Sequence, residues 1–427
     1  MLKEKIYIVD YEVVSPIGIG RDRIIESIRK NRDAESEIKR VNVAGLPFTR
    51  AAEIKEDLTY LLDSEDEIYR KVCPFDRKFE LLVACYGLMK ERSESLRNKL
   101  KTEKTGVILG IGADVAPFEL FEKEIIAFLN EDKNPIVELY LSLNENGTKL
   151  NLMNNPYDLY SMYLADKFDA GAFQKTVLTA CVSSTQAIAF GYDHIKRGEA
   201  EVVVTGGTDS IVNTLAMISF GKLGVIPESG EGKSCKPFDS NRRGTLSGEC
   251  AGIVILASEK FVKENDLEPI AEVMGYGNTL DAYKITAPDP EGDSMVRAVE
   301  QAVSSSMIRV EDIDYINAHG TGTRHNDLLE LRSLERALGP QMKRIPISST
   351  KDRHGHAIAA AGVQEICVLL ELMKHKIIPK NLNLNTPCDD TFNLVKENYS
   401  SPINVAISNN FAFGGINTVL ILKNERD

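Results

Sequence analysis

The sequence lacks several features that would point to particular protein classes. It has no tryptophan, no apolar run approaching the roughly 20 residues of a membrane span, and no signal-peptide pattern in its opening residues. Its 51 Lys and Arg residues are outnumbered by 63 Asp and Glu residues, which gives a net charge of −12. Phosphate-binding surfaces need an excess of basic residues, so this balance disfavours nucleic acid as a partner. We therefore expect a cytoplasmic protein that binds neither nucleic acid nor membranes.

Cysteines and cofactor motifs are also sparse. The seven cysteines form no C-x-x-C pair, and their number is odd, which argues against a disulfide framework or a zinc site. The chain contains no Walker motif and no early G-x-G-x-x-G after a strand. We expect neither a metal nor a nucleotide cofactor. The length of 427 residues, 43% of them hydrophobic, is enough for a large buried core and two or three domains.

Apolar runs alternate with helical patterns along the chain, which is typical of α/β proteins whose strands are covered on both faces. The Asn-rich region 113–173 interrupts this alternation and is interpreted as an insertion or cap. A second series of strands and helices begins near residue 255. The chain is therefore predicted to consist of an N-terminal half, 1–255, and a C-terminal half, 256–427.

Cys181 is the candidate nucleophile. It lies between an apolar strand predicted at 176–180 and a helix predicted at 183–197. A lone buried cysteine more often only fills space. Here, however, the sulfur would lie near unpaired backbone N–H groups and the positive end of a helix dipole, which lower the pKa of a thiol. The strand-turn-helix context therefore favours a nucleophile.

Three further ionisable residues lie at the ends of other predicted strands, and a fourth lies on a helix between them. His319 ends an apolar strand before a glycine-rich loop, His356 and Lys351 follow the next strand, and Glu330 lies on the helix between them. Each alone could be an ordinary loop or surface residue. Because ligands bind at the carboxyl ends of parallel strands, we expect these side chains to gather with Cys181 in one site.

Four ordered motifs resemble the elongating β-ketoacyl-[acyl-carrier-protein] synthases of type II fatty-acid and polyketide systems. They are T-A-C-V-S-S (179–184), H-G-T-G-T-R-H-N-D (319–327), K-D-R-H-G-H-A-I-A-A-A-G (351–362) and N-N-F-A-F-G-G-I-N (409–417). The resemblance implies a thiolase-like fold, a five-layer α/β/α/β/α sandwich of two pseudo-equivalent halves that usually works as a dimer. It also implies decarboxylative Claisen condensation of an acyl group with malonyl-ACP, in fatty-acid synthesis or in a specialised polyketide or polyene pathway.

The resemblance assigns roles to the candidate residues. Cys181 would carry the acyl chain as a thioester, and His319 and His356 would flank the incoming malonyl thioester. Lys351, paired with Glu330, would hold the histidines electrostatically in their neutral state. The substrates would arrive on the phosphopantetheine of an acyl carrier protein, with no other cofactor.

The glycine-rich loops receive roles in the same way. Phe413 would be the gating aromatic, with Gly414 and Gly415 giving the loop its flexibility. The backbone N–H groups of Cys181 and Phe413 would bind the oxyanion of the acyl intermediate. Thr321 and Thr323 would hydrogen-bond the phosphopantetheine arm.

The sequence departs from the family pattern near the site. Arg353 and His354 replace small or apolar residues and are expected to place extra charge and a third imidazole beside it. Arg243 replaces an acidic residue, Thr245 an aromatic one, and Ala412 a glycine. These departures leave the acyl-chain preference and the motion of the gate open.

An acidic carrier protein needs a basic landing surface on this acidic chain. Arg70, Lys71, Arg77 and Lys78 precede a helix where the family places part of that surface. The alternative is a solvated charged face without a partner.

The family resemblance leaves other assignments to weigh. A homodimer is expected, and a heterodimer with a chain-length-factor-like subunit stays open. A degradative thiolase would carry a second cysteine in the last glycine loop, which here reads N-N-F-A-F-G-G. Initiating or chalcone-type enzymes would carry an asparagine at the position of His356. A non-catalytic chain-length factor would have lost Cys181.

Overall fold

The computed structural model describes residues 4–62, 76–100, 103–113, 157–230 and 232–426. Most of the predicted cap at 113–173 lies outside these residues. Its last part, 157–173, contains one helix, Leu159–Lys167. In the described part of the chain, we find no helix with the length and hydropathy needed to cross a membrane.

Ten strands make up the main sheet structure, five from each half of the chain. Those of the first half are β1 (Ile6–Ser15), β2 (Thr105–Ile111), β3 (Phe173–Val177), β4 (Val202–Ser210) and β5 (Glu249–Ser258). Those of the second half are β6 (Ala271–Leu280), β7 (Tyr315–Asn317), β8 (Ile347–Ser348), β9 (Val405–Phe411) and β10 (Ile416–Asn424). Shorter strands lie at Gly18–Ile19, Glu35–Glu37, Arg50–Ala52, Ile377–Ile378 and Tyr399–Ser400.

The two halves repeat one topology. The strand order is β3-β2-β4-β5-β1 in the first half and β8-β7-β9-β10-β6 in the second. In each half the first three strands of this order pair in parallel and the remaining pairs are antiparallel. Two residue pairs between β1 and β6 join the two sheets. The prediction of two pseudo-equivalent halves is therefore confirmed.

The predicted boundary between the halves was placed slightly too early. Residue 255 falls inside β5, which continues to Ser258 and pairs with β1 over almost its whole length. The strand belongs to the first half because both of its neighbours do. The apolar run 251–258 therefore closes the first half, and β6, beginning at Ala271, opens the second.

Helices separate and cover the two sheets. They are α1 (Arg21–Arg29), α2 (Arg77–Arg92), α3 (Glu94–Lys99), α4 (Leu159–Lys167), α5 (Ser183–Lys196), α6 (Thr214–Lys222), α7 (Glu259–Glu264), α8 (Asp293–Ser306), α9 (Asn326–Leu338), α10 (Lys351–His354) and α11 (Ala361–His375). Single 3₁₀ turns lie at Thr59–Leu61, Ala180–Val182, Val310–Asp312, Pro340–Arg344 and Ile358–Ala360.

The hydrophobic cores define five layers. The central core packs α1, α5 and α11 between the two sheets, and α11 is buried continuously from Ala361 to Met373. Apart from Gln364, Glu365 and Glu371, these residues are apolar on every face, and such a helix must lie inside the protein. A second core packs α2 and α4 on the outside of the first sheet, and a third packs α8 and α9 on the outside of the second. This is the predicted α/β/α/β/α arrangement.

Candidate active site

A repeated turn brings the two halves together at the site. The 3₁₀ turn Ala180–Val182 leads into α5, and its counterpart Ile358–Ala360 leads into α11. Ala180 has φ 51° and Ile358 has φ 36°. These are left-handed backbone conformations, which residues other than glycine rarely adopt. The strand predicted at 176–180 therefore ends earlier, at Val177. The turn places Cys181 at the start of α5, beside residues of the second half.

The structure brings the predicted nucleophile and the two histidines into one cavity. The Sγ atom of Cys181 lies 3.1 Å from Nε2 of His356. The ring of His356 is 5.5 Å from that of His319 and nearly perpendicular to it. All three residues line a cavity of about 350 Å³, and Cys181 is only 5% exposed. The sulfur therefore has one imidazole within proton-transfer distance, and a second imidazole lies next to the first.

The electrostatic state of Cys181 differs from the prediction. Burial raises the pKa of its thiol from 9.0 to about 12, against the opposing effects of the Lys351 charge and the backbone N–H groups of Phe413 and Cys181. We predicted a lowered pKa from the helix N-terminus, and this was wrong because loss of solvation outweighs the local dipoles. The resting sulfur is therefore a protonated thiol.

Both histidines are neutral at physiological pH. Burial lowers the pKa of His319 and of His356 well below 6.5, and the nearby Lys351 ammonium lowers both further. A positive charge next to an imidazole disfavours the imidazolium form. Neutral imidazoles can donate N–H to a developing enolate oxygen, or accept a proton from the thiol.

Lys351 has a different ion-pair partner from the predicted one. Its fully buried ammonium contacts Oε1 of Glu365, and it donates to the carbonyl oxygen of His319 at 2.7 Å. It also lies 3.4 Å from Nδ1 of His319. The predicted pairing with Glu330 was wrong, because α11 brings the carboxylate of Glu365 closer. The charge of Glu365 compensates the buried lysine and leaves the lysine in contact with the histidine.

Glu330 supports the backbone of the site instead. Its carboxylate accepts from the backbone N–H groups of His319 at 2.8 Å and Gly320 at 2.9 Å, and from the side chain of Asn409 at 3.1 Å. It thereby orients the loop that carries His319.

Two residues of the site had no role in the sequence prediction. Glu365 holds Lys351, and Asn410 donates to the other oxygen of Glu365 at 2.7 Å. Asn410 belongs to the motif at 409–417, and Glu365 follows three residues after the motif at 351–362. The available signal for Glu365 was a charged residue in a helix that is mostly apolar, a feature that it shares with Glu371.

The predicted gate lies at the cavity wall. The ring of Phe413 stacks on that of Phe220, with centroids 6.4 Å apart, and Ala412 lines the cavity beside it. Gly414 and Gly415 have φ values of 82° and 75°, which favour glycine. These two glycines allow the chain to turn sharply after Phe413.

The loop predicted to bind phosphopantetheine also reaches the cavity. Thr321 and Thr323 both line it, and their hydroxyl oxygens lie 2.9 Å apart. Each hydroxyl can rotate to donate to or accept from a ligand.

The family departures fall into two groups. Arg243, Thr245 and Ala412 line the cavity. Arg353 and His354 are fully buried and do not line it. Arg353 donates to the carbonyl oxygen of Lys380 at 3.1 Å, and the ring of His354 hydrogen-bonds with Thr350 and Gly355. The expectation that these two place charge beside the reacting groups was wrong, because both side chains pack into the protein interior.

The prediction of a carrier-docking patch is wrong at Arg77 and Lys78. Arg77 forms ion pairs with Glu249 at 2.9 Å and Glu80 at 2.8 Å, and only 11% of its side chain is exposed. Lys78 is buried as well. These two residues therefore do not form a landing surface, because both side chains are largely buried. Arg70 and Lys71 lie outside the described residues.

Known proteins match the chain over almost its whole length. The model for the beta-ketoacyl synthase N-terminal domain matches residues 3–261, and that for the C-terminal domain matches 270–385. The 3-oxoacyl-[acyl-carrier-protein] synthase 2 of Staphylococcus aureus (strain COL) is 29% identical over 428 residues, covering 98% of each chain.

Two solved structures share the fold at full length. The ishigamide ketosynthase/chain length factor matches with a TM-score of 0.83 and 25% identity, covering 99% of both chains. A type II polyketide synthase ketosynthase, bound to the hexaketide and in complex with its acyl-carrier protein, matches with a TM-score of 0.83 and 22% identity, also over 99% of both chains. The chain, with its cysteine and two histidines in one cavity, belongs to the beta-ketoacyl synthase family.

Proposed function

We propose that Cys181 carries an acyl group as a thioester and that the site condenses this group with malonyl-ACP to give β-ketoacyl-ACP. One observation carries the assignment. The thiol of Cys181 lies 3.1 Å from the neutral imidazole of His356, in a cavity that His319 also lines. Thiol nucleophile, proton acceptor and a second N–H donor are the groups that this reaction requires.

The first half-reaction transfers the acyl group to the enzyme. The thiol attacks the carbonyl carbon of acyl-ACP, and its proton passes to Nε2 of His356 as the carbon–sulfur bond forms. The backbone N–H groups of Cys181 and Phe413, which already face the sulfur, stabilise the oxyanion. The carrier's thiolate then leaves and takes the proton from His356, so the enzyme is again uncharged at these positions.

The second half-reaction forms the new carbon–carbon bond. Malonyl-ACP loses CO₂, and the electron pair of the broken bond becomes an enolate whose oxygen accepts N–H donation from His319 and His356. The enolate carbon attacks the acyl thioester, and the thiolate of Cys181 leaves and recovers a proton delivered from solvent through His356. Burial, aided by the Lys351 charge, keeps both imidazoles neutral, so they do not protonate the enolate prematurely.

We propose that this chemistry needs no metal or redox cofactor. The thioester already activates the carbonyl carbon, and decarboxylation supplies the carbanion. Cys181, His319 and His356 provide the remaining nucleophile and proton donors.

The assignment is tested at the sulfur. Cys181→Ala should abolish condensation, whereas Cys181→Gln should remove elongation and leave decarboxylation of malonyl-ACP, because both histidines stay in place. The half-buried Cys388, which does not line the cavity, provides the matched control Cys388→Ala. Undiminished elongation by Cys181→Ala, measured as β-ketoacyl-ACP by mass spectrometry, would overturn the proposal.

A second candidate is the same chemistry within a heterodimer. The ishigamide ketosynthase/chain length factor favours it, since this structure aligns with the chain at full length. In that case the chain would be the catalytic member, because Cys181 and both histidines are present. Purified chain that elongates acyl-ACP as a homodimer, as judged by sedimentation, supports the simpler assignment; activity only after addition of a partner subunit supports the heterodimer.

A further inference from the structure

Two arginines at the mouth of the cavity have no acidic partner among the described residues. Arg243 and Arg324 both line the cavity and are both exposed, so they lie where it opens to solvent. Within the described ranges of the chain, neither side chain makes a hydrogen bond or an ion pair. Most arginines with partners in this protein face a carboxylate, as Arg77 does. Two uncompensated guanidinium groups at one opening form a local positive site on an acidic protein.

A third arginine holds the loops that carry them. Arg242 donates from Nε to the carbonyl oxygen of Thr323 at 2.9 Å and from Nη2 to that of Arg324 at 3.0 Å. It also lies 3.9 Å from the buried carboxylate of Asp327. The loop containing Arg243 is therefore fixed against the loop containing Arg324, and the two free guanidinium groups come from adjoining, ordered segments.

The same loops carry the hydroxyl groups assigned to the phosphopantetheine arm. Thr321 and Thr323 lie inside the cavity, and Arg324 follows them directly in the chain. An arm whose thioester reaches Cys181 must leave the cavity past this opening, and its outer end carries a phosphate. Arginine binds phosphate oxygens through two parallel N–H donors, which makes it well suited to this group.

We propose that Arg243 and Arg324 form an anion subsite that binds the phosphate at the outer end of the phosphopantetheine arm. The inference rests on the proposed function, because that reaction brings the arm into the cavity. The phosphate belongs either to the carrier protein's prosthetic group or to coenzyme A, and both present the same chemistry. The resemblance implies an acidic residue at the position of Arg243 in related synthases, so the subsite is a property of this chain.

The test compares malonyl-phosphopantetheine with malonyl-pantetheine, which differ only in the phosphate. The enzyme is first acylated at Cys181, and kcat/KM is measured for each donor. In Arg243→Gln/Arg324→Gln the ratio of kcat/KM for the phosphorylated over the unphosphorylated donor should fall about tenfold, through KM and not kcat. With Arg324 unchanged, Arg243→Lys should retain more of the ratio than Arg243→Gln does, because lysine keeps the charge but not the planar fork. Arg23→Gln, at an exposed site on α1, controls for net charge.

The two sources of the phosphate are separated by repeating the measurement with malonyl-ACP and malonyl-CoA. Weaker binding of both in the double variant supports the subsite and shows that either can use it. Weaker binding of malonyl-ACP alone, with malonyl-phosphopantetheine unchanged, would overturn the subsite in favour of a contact with the carrier protein's surface.

An equal loss with malonyl-pantetheine would also overturn it, since the arginines would then act on the malonyl carboxylate. An unchanged ratio for an active enzyme refutes the subsite alone. No turnover of any malonyl thioester by the wild-type protein refutes the proposed function instead.

Discussion

The uncharged pair formed by Cys181 and His356 makes the pH dependence of acylation a direct test of the site. Burial raises the pKa of the thiol to about 12, and that of His356 is lowered well below 6.5. At pH 7, a thiol with this pKa is ionised in about one molecule in 10⁵, against about one in 10² for a pKa of 9. The difference corresponds to about 4 kcal/mol. Attack by a thiolate formed in advance is therefore strongly disfavoured.

We expect the wild-type protein to be acylated from the neutral pair at a rate that hardly changes between pH 6.5 and 9. Neither group titrates in this range, since the thiol loses its proton only above it and the imidazole gains one only below it. In His356→Ala the proton has no acceptor, so the rate should fall about 10²–10⁴-fold and then rise about tenfold per pH unit as hydroxide forms the thiolate.

The assay is single-turnover acylation of Cys181 by a short acyl-pantetheine, followed by intact mass. His375→Ala, near the surface end of α11, is the matched control and should behave like the wild type. An inflection near pH 6.5 or between pH 8 and 9 in the wild type would refute the reasoning, because it would reveal an ordinary imidazole or an ordinary thiol. An undiminished rate in His356→Ala would refute the role of this imidazole as proton acceptor.

Two further predictions concern buried ion pairs. Arg77→Gln should lower the free energy of unfolding by about 3–5 kcal/mol, because it leaves the buried carboxylate of Glu249 unpaired. Arg77 holds the pKa of Glu249 below its usual 4.5 against the effect of burial, and without Arg77 burial raises this pKa. The difference in unfolding free energy between wild type and variant should therefore shrink as urea unfolding is measured at falling pH. A raised KM for malonyl-ACP without a loss of stability would restore the docking role. Glu365→Gln should lower both stability and kcat, because the Lys351 ammonium loses its buried counter-charge beside His319. Glu371→Gln, on the same helix, is the control, and a loss of stability and kcat in Glu365→Gln no larger than in this control would contradict the assignment.

The gathering of the reactive groups could be predicted from the sequence because each follows a strand. Cys181, His319 and His356 come after β3, β7 and β8, and the carboxyl ends of parallel strands share one edge of a sheet. The two sheets pack on the central helices α5 and α11, and the 3₁₀ turns that precede these helices contact each other, which brings strand ends from both halves to one site. The positions of these residues thus depend on topology, which the alternation of apolar and helical segments already indicates.

Pairings between distant residues could not be predicted in this way. Glu330 and Glu365 are both acidic residues on helices near Lys351, and only the packing of α11 decides between them. From the sequence alone, the charge of Arg77 indicates a surface residue. Its buried partner Glu249 is 172 residues away in the sequence, so the pair is visible only in the structure. The pKa of the Cys181 thiol depends in the same way on burial, which residues of both halves create. The effect of burial on this pKa is larger than that of the helix that begins beside Cys181.

The turn that precedes both central helices has a consequence for how the enzyme evolved. Cys181 and Ala359 occupy the same place in matching 3₁₀ turns, one residue after the left-handed Ala180 and Ile358. Identical strand order and matching turns are what an internal duplication leaves behind. Under the proposed function the two copies have specialised: the first captures the acyl chain on Cys181, and the second supplies the imidazoles that handle protons. Neither copy can therefore diverge alone, and chimeras joined between residues 259 and 269 should work only when both copies come from compatible parents.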